Sequence, residues 1–247
     1  MKNKFISQLV LVLAFGVFLI GCFEPPEFAV EPSISFAKLE FKPVANASDS
    51  LVLTFNFQDG DGDIGLSPNQ TGFPYHPFNL VIDSEDSPVF FNDDRVIAPL
   101  FLVDPLDRRT FFSEEDNRPP YSCDQYVIQE FFSSGDADTV YIQQNEFNRN
   151  IYIDFYRKEN GEYVSIDDQL SLGSCAEAFD ARIPIFDRDN LGRSLSGTIS
   201  YALLSQGFPL VFLNDTIKMD FYIYDQALNR SNVTSTGDFT LRDVTVE

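Results

Sequence analysis

The sequence predicts an all-β protein that is either one large unit or two in tandem, with long loops in the middle of the chain. Three observations carry this expectation. Stretches such as "SLVLTFNFQD", "TVYIQQ", "NIYIDFYRKENGEYVSID", "GTISYALLS" and "TIKMDFYIYD" alternate apolar and polar residues and are rich in β-branched and aromatic side chains. Beyond the first 22 residues, no comparable stretch keeps helical spacing over three turns. Finally, Asp49 to Asp59, "DSLVLTFNFQD", aligns without gaps on Asp215 to Asp225, "DTIKMDFYIYD", at a constant offset of 166 residues. In both copies Asp-Ser/Thr opens a strand, apolar residues alternate (Leu51, Leu53, Phe55, Phe57 against Ile217, Met219, Phe221, Ile223), and an aspartate closes it. Shared flanking aspartates favour duplication of a strand unit over coincidence.

At the N-terminus, Lys2 and Lys4 precede the apolar run "FISQLVLVLAFGVFLIG", which ends in "LIGC" at Cys22. The run is slightly short for a helix that must span a bilayer with ~20 apolar residues. The stretch resembles a bacterial lipoprotein signal, which implies that residues 1–21 are removed and that the Cys22 sulfur accepts a diacylglyceryl group. Outer-membrane lipid is then the partner of the acylated N-terminus. Residues 22–32, with Pro25, Pro26 and Pro32, read as an extended tether. Glu24 and Glu27 are similar to the acidic residues behind the lipidated cysteine in surface-exposed lipoproteins of Bacteroidetes-type bacteria, which implies a lipid-anchored protein at the cell surface.

The formal charge is −21, and it becomes −23 once residues 1–21 and their two lysines are gone. A chain this acidic repels phosphate backbones, so no nucleic-acid partner is expected. With Cys22 lipidated, Cys123 in "YSCDQ" and Cys175 in "GSCAE" remain. Both lie in polar, turn-like surroundings, and an exported chain meets oxidising conditions, so a disulfide between them is expected. The chain-entropy argument gives it about 4 kcal/mol of stabilisation.

Residues 33–182 read as a first β region with a loop-rich insertion, and 183–247 as a second β region. "YRKENGEYVSI" has the form of a hairpin turning at Asn160-Gly161. Ser67 to Asp124 is dense in Pro, Asp, Asn and Ser, with only short apolar runs such as "NLVI" and "APLFLV", and reads as loop.

The ending "FYIYDQALNRSNVTSTGDFTL" is similar to the last strands of bacterial immunoglobulin-like modules. Together with "FNFQDGDGDIGL" it resembles a group of Bacteroidetes surface lipoproteins that carry an Asp-Gly-Asp-Gly-Asp strand end early and an Asp-x-Ala-Leu-Asn-x-Ser-Asn strand end late. The resemblance implies an immunoglobulin-like β-sandwich, one large or two tandem, on a surface lipoprotein, with 33–182 as the first β-sandwich region and 183–247 as the second immunoglobulin-like region, and it implies no reaction.

Asp59, Asp61 and Asp63 match the first three ligands of an EF-hand loop, but Ile64 stands where that loop needs glycine and Gln70 where it needs a bidentate glutamate. An EF-hand is therefore excluded. A β-sandwich gathers loops at one end, so the Asp59 turn can meet Asp187, Asp189 and Asn190, or Asp225 with Asn229 and Asn232. Asp59, Asp61, Asp63, Asp225 and Asn229 are thus the candidate ligands for calcium. The competing expectation is a solvated turn whose glycines permit left-handed angles and whose aspartates accept backbone N–H bonds.

No catalytic role is expected. His76, the only histidine, lies in "PYHPF" without a nucleophile or a metal-binding partner, and reads as packed in a loop. The function expected is that of a binding or accessory protein of the cell envelope, with an envelope protein as partner. Glycan binding or a carbohydrate-active surface protein is the alternative, because ten tyrosines can supply stacking platforms, although tryptophan is absent. Of the pairs Phe90-Phe91, Phe111-Phe112 and Phe131-Phe132, one member can enter the core while the other needs separate cover. "DSL" at Asp49, "DTV" at Asp138 and "DTI" at Asp215 resemble an acceptor pattern for O-glycans on exported proteins, though opening a strand suffices to explain the first and third.

Overall fold

The structure is a computed structural model, and it describes residues 27–45, 47–122, 124–130, 137–166, 179–186, 192–205, 207–212 and 214–246. It is nearly all β, with three antiparallel sheets and no closed barrel. The first sheet is built on β2 (Asp49–Asp59), which has β1 (Ser33–Lys42) on one side and β10 (Leu195–Ser205) on the other. The second has the order β12 (Thr234–Ser235), β11 (Ile217–Ile223), β8 (Ile151–Glu159), β9 (Glu162–Ser165).

These two sheets pack face to face because alternation gives each one apolar side. Leu51, Leu53, Phe55 and Phe57 of β2 are buried, and so are Ile217, Met219, Phe221 and Ile223 of β11. All eight belong to one hydrophobic cluster, shared with Ile151, Ile153 and Phe155 of β8 and with Ile199 and Leu203 of β10. The rings of Phe55 and Phe221, aligned positions of the internal repeat, meet across the core with centroids 5.4 Å apart. The repeated strands therefore face each other as the central strands of opposite layers. Short helices α1 (Phe208–Phe212) and α2 (Leu241–Val244) cover this core, burying Phe208, Phe212 and Leu241.

The β8–β9 hairpin forms as expected: Glu159 pairs with Glu162, and both Asn160 (φ 51°) and Gly161 (φ 90°) take positive φ. Asp49, which opens β2, accepts the Val44 N–H at 2.9 Å.

Two expectations are corrected. The division at residue 182 does not separate sheets, since β10 pairs with β2 along its whole length and β11 pairs with β8 from Ile217–Arg157 to Ile223–Ile151. Strands from 183–247 thus complete layers begun by 33–182. The stretch from Ser67 to Asp124 is also more than loop, for it contains β3 (Phe78–Ile82), β4 (Leu100–Val103) and β5 (Arg109–Ser113). With β6 (Tyr126–Glu130) and β7 (Ala137–Gln144) they make a third sheet, ordered β5-β4-β3-β7-β6, with its own core of Val81, Val89, Leu100, Tyr126 and Tyr141. The short runs "NLVI" and "APLFLV" are its strands. In this sheet Phe112 packs on Tyr141 while Phe111 is 53% exposed, the split that alternation requires. Phe91 packs against Tyr126; Phe131 and Phe132 lie outside the described residues.

Arg182 ties the third sheet's leading loop to the sandwich. Its guanidinium donates to the carbonyls of Ser67, Gln70, Tyr75 and Asn148 at 2.6 to 3.0 Å. Among the described residues, no helix is long and apolar enough to cross a membrane.

Replacing Phe55 by Ala removes a fully buried ring opposite Phe221, and a loss of about 3–5 kcal/mol is expected in urea denaturation. Phe111→Ala, on the exposed side of its strand, is expected to cost under about 1 kcal/mol.

Candidate metal centre

β2 and β11 both end in aspartate at the same end of the sandwich, and this brings the acidic residues together. Asp59 closes β2 opposite Leu195 and is 0% exposed; Asp225 follows β11 and is 1% exposed. The turn after β2 then folds back, so that Ile64 forms a bridge pair with Asp225 and the Gln226 N–H donates to the Asp63 carbonyl. Asp59, Asp61, Asp63 and Asp225 each offer a carboxylate oxygen, and these oxygens all lie within 4.8 Å of one another.

Two glycines make the turn possible. Gly62 has φ +68°, and a methyl placed on it would stand 2.3 Å from the Arg193 carbonyl oxygen. A methyl on Gly60 would come within 2.6 Å of the Phe28 and Ala29 carbonyl oxygens. "DGDGD" is thus a turn whose glycines admit neighbouring backbone on two sides while its aspartates converge. Gly192 N–H and Ser194 Oγ hold it from outside by donating to the carbonyls of Asp61 and Gly60.

Hydrogen bonds inside the cluster are few. Asp59 Oδ2 accepts the Asp63 N–H at 2.9 Å. Asp225 accepts the Asn229 N–H at 2.7 Å on Oδ1 and the Asn229 Nδ2 at 2.8 Å on Oδ2. The other oxygens are the notable ones: Oδ1 of Asp59, of Asp61 and of Asp63 are buried from solvent and have no hydrogen-bond partner among the described residues. Nor does any Lys or Arg among the described residues form an ion pair with the four.

An unpaired buried carboxylate is costly. Each pair of like charges at this spacing repels by roughly 3 kcal/mol at an effective dielectric constant of about 20. The protonation equilibria register that cost. Burial, reinforced by the charges of Asp61, Asp63 and Asp225, pushes the Asp59 carboxyl up to about 7. Burial, then Asp225 and Asp61, pushes Asp63 up to about 6. Asp225 is raised as well, chiefly by burial, against the lowering effect of the Asn229 hydrogen bonds.

The donor set is all oxygen, which suits calcium, magnesium or manganese and not a thiolate- or imidazole-preferring metal. Four carboxylates supply four to eight oxygens, a range that overlaps the six to eight that calcium takes.

Of the sequence candidates, Asp59, Asp61, Asp63 and Asp225 are brought together. Asn229 turns its backbone and amide N–H groups onto Asp225 and so orients that ligand. Asn232 instead grips Ile34, whose N–H it accepts at 2.9 Å and whose carbonyl receives its amide at 2.9 Å. Asp187, Asp189 and Asn190, together with Cys22, Cys123 and Cys175, lie outside the described residues. His76 is buried between Asn79 Oδ1 (2.8 Å) and the Asn145 amide, beside a 250 Å³ cleft lined also by Phe73 and Arg108. Sequence reasoning missed Tyr75, whose hydroxyl donates to the Gln226 carbonyl and is raised by burial and by the charges of Asp63 and Asp225. The only signal for it was an aromatic residue beside the Asp-rich turn.

No family model, curated protein or solved structure matches the chain.

In the cation-free protein, the raised carboxyls of Asp59 and Asp63 bind protons more tightly folded than unfolded. Their contribution to stability is present at pH about 4 and lost as the pH rises through about 6 to 7. Melting temperature in chelator is therefore expected to fall across that window, and Asp59→Asn is expected to flatten the fall.

Proposed function

We propose that the protein is a lipid-anchored, non-catalytic binding or accessory module of the cell envelope whose sandwich is closed at one end by calcium. The observation that carries the calcium reading is the set of three buried, partnerless carboxylate oxygens on Asp59, Asp61 and Asp63, gathered with Asp225. Because those oxygens are shut from solvent, the ion serves the fold and does not present itself to an external ligand.

The anchor reading rests on "LIGC" and the proline-rich stretch behind Cys22. A protein partner is preferred to a glycan because three outward tyrosines of the second sheet, Tyr152, Tyr222 and Tyr224, are turned on one another. Tyr152 and Tyr222 stack with centroids 5.1 Å apart, Tyr224 meets both edge-on, and the Arg230 guanidinium lies 3.8 Å over Tyr222. Ring faces used in this way are not open to sugar rings.

Calorimetric titration is expected to show one calcium per chain. At a hundredfold excess over Kd the ion adds about 2.7 kcal/mol, which for a chain of this size raises the melting temperature by roughly 5 to 10 °C. Asp61→Asn and Asp63→Asn are expected to abolish both effects; a wild-type chain that neither evolves heat nor gains stability in millimolar calcium contradicts the reading. Separately, Cys22→Ser is expected to move the chain out of the membrane fraction and to remove the acyl mass at its N-terminus.

A further inference from the structure

The chain that enters β1 runs across both loops that carry the carboxylates. At Gly60, between Asp59 and Asp61, the backbone of Phe28 and Ala29 approaches so closely that a methyl group would meet both carbonyl oxygens at 2.6 Å. A few residues later, Ile34 is held by the segment that follows Asp225: Asn232 accepts its N–H and donates back to its carbonyl, and Thr234 Oγ1 donates to the same carbonyl at 3.1 Å. The side chains in between contribute little, for Glu27, Ala29, Val30 and Glu31 are exposed, Phe28 is half-buried and only Pro32 is buried. Residues 28 and 29 therefore meet the Asp59 loop by backbone fit at Gly60, and the strand directly after them is fastened to the Asp225 loop, with little burial of the segment's own apolar surface.

We propose that cation occupancy of the four-aspartate centre controls docking of residues 27–31, and so sets how the chain leaves the sandwich on its anchor side. This inference rests on the calcium reading of that centre. An ion drawing Asp59, Asp61, Asp63 and Asp225 together holds Gly60 in the one position that receives the Phe28–Ala29 backbone. Without it, four carboxylates within 4.8 Å repel, the two loops move apart, and a segment held by their relative position comes free. Coupling of this kind is reciprocal, so undocking the segment must weaken the ion.

Chymotrypsin cleavage at Phe28–Ala29 in the full chain in detergent tests this. The rate is measured by mass spectrometry in calcium and in chelator, and normalised to a synthetic peptide of residues 23–33, so that any effect of calcium on the protease cancels. Calcium is expected to slow cleavage about tenfold, with calorimetric heat recorded on the same sample. In Gly60→Ala, whose methyl collides with the docked backbone, the ratio is expected to approach one and calcium to bind more weakly. Asn232→Ala, which leaves every carboxylate and glycine in place, is expected to shift both quantities in the same direction. Calcium heat with equal cleavage rates in wild type overturns the coupling alone; absence of heat overturns the calcium reading and the coupling with it.

Discussion

Four aspartates that cannot all be ionised, dry and unpaired sit where the two layers of the sandwich meet, and the surrounding structure is arranged around that constraint. β2 and β11 bring Asp59 and Asp225 there because each strand buries its apolar face against the other and closes on an aspartate at the same end. The turn after β2 adds Asp61 and Asp63, and the Ile64–Asp225 bridge sets the two loops side by side. Hydrogen bonds satisfy one side of the cluster, through Asn229 and the Asp63 N–H, and leave Oδ1 of Asp59, Asp61 and Asp63 without a partner among the described residues. A hydrated surface turn would instead spread its carboxylates into solvent, at little energetic cost.

Much of this was readable from residue order. Period-two alternation identified the long strands, and Asn160-Gly161 identified the hairpin, because both rest on local backbone preferences. The 166-residue repeat singled out Asp59 and Asp225 as equivalent strand ends, which is how a ligand distant in sequence could be named. Its meaning was less accessible: matching strands can form two tandem sandwiches or the two layers of one, and only pairing of β10 with β2 and of β11 with β8 separates these. The third sheet was hidden for a different reason. β3, β4 and β5 have five, four and five residues, too few for alternation to stand out among prolines and aspartates. Tyr75 escaped because its partner, Gln226, is 151 residues away.

The acidic composition that favours solubility also gathers four aspartates at one end of the sandwich. On the proposed reading, calcium outside the cell offsets their charge. The backbone of Phe28 and Ala29 lies against Gly60 and Asn232 grips Ile34, so the two aspartate-bearing loops are also the ones that receive the chain entering β1, the side on which the proposed anchor lies.

The most direct measurement is an anomalous difference map from crystals grown with calcium. The account predicts a single peak about 2.3–2.6 Å from carboxylate oxygens of Asp59, Asp61, Asp63 and Asp225. A map without that peak, in which the four side chains turn apart toward water, would contradict it.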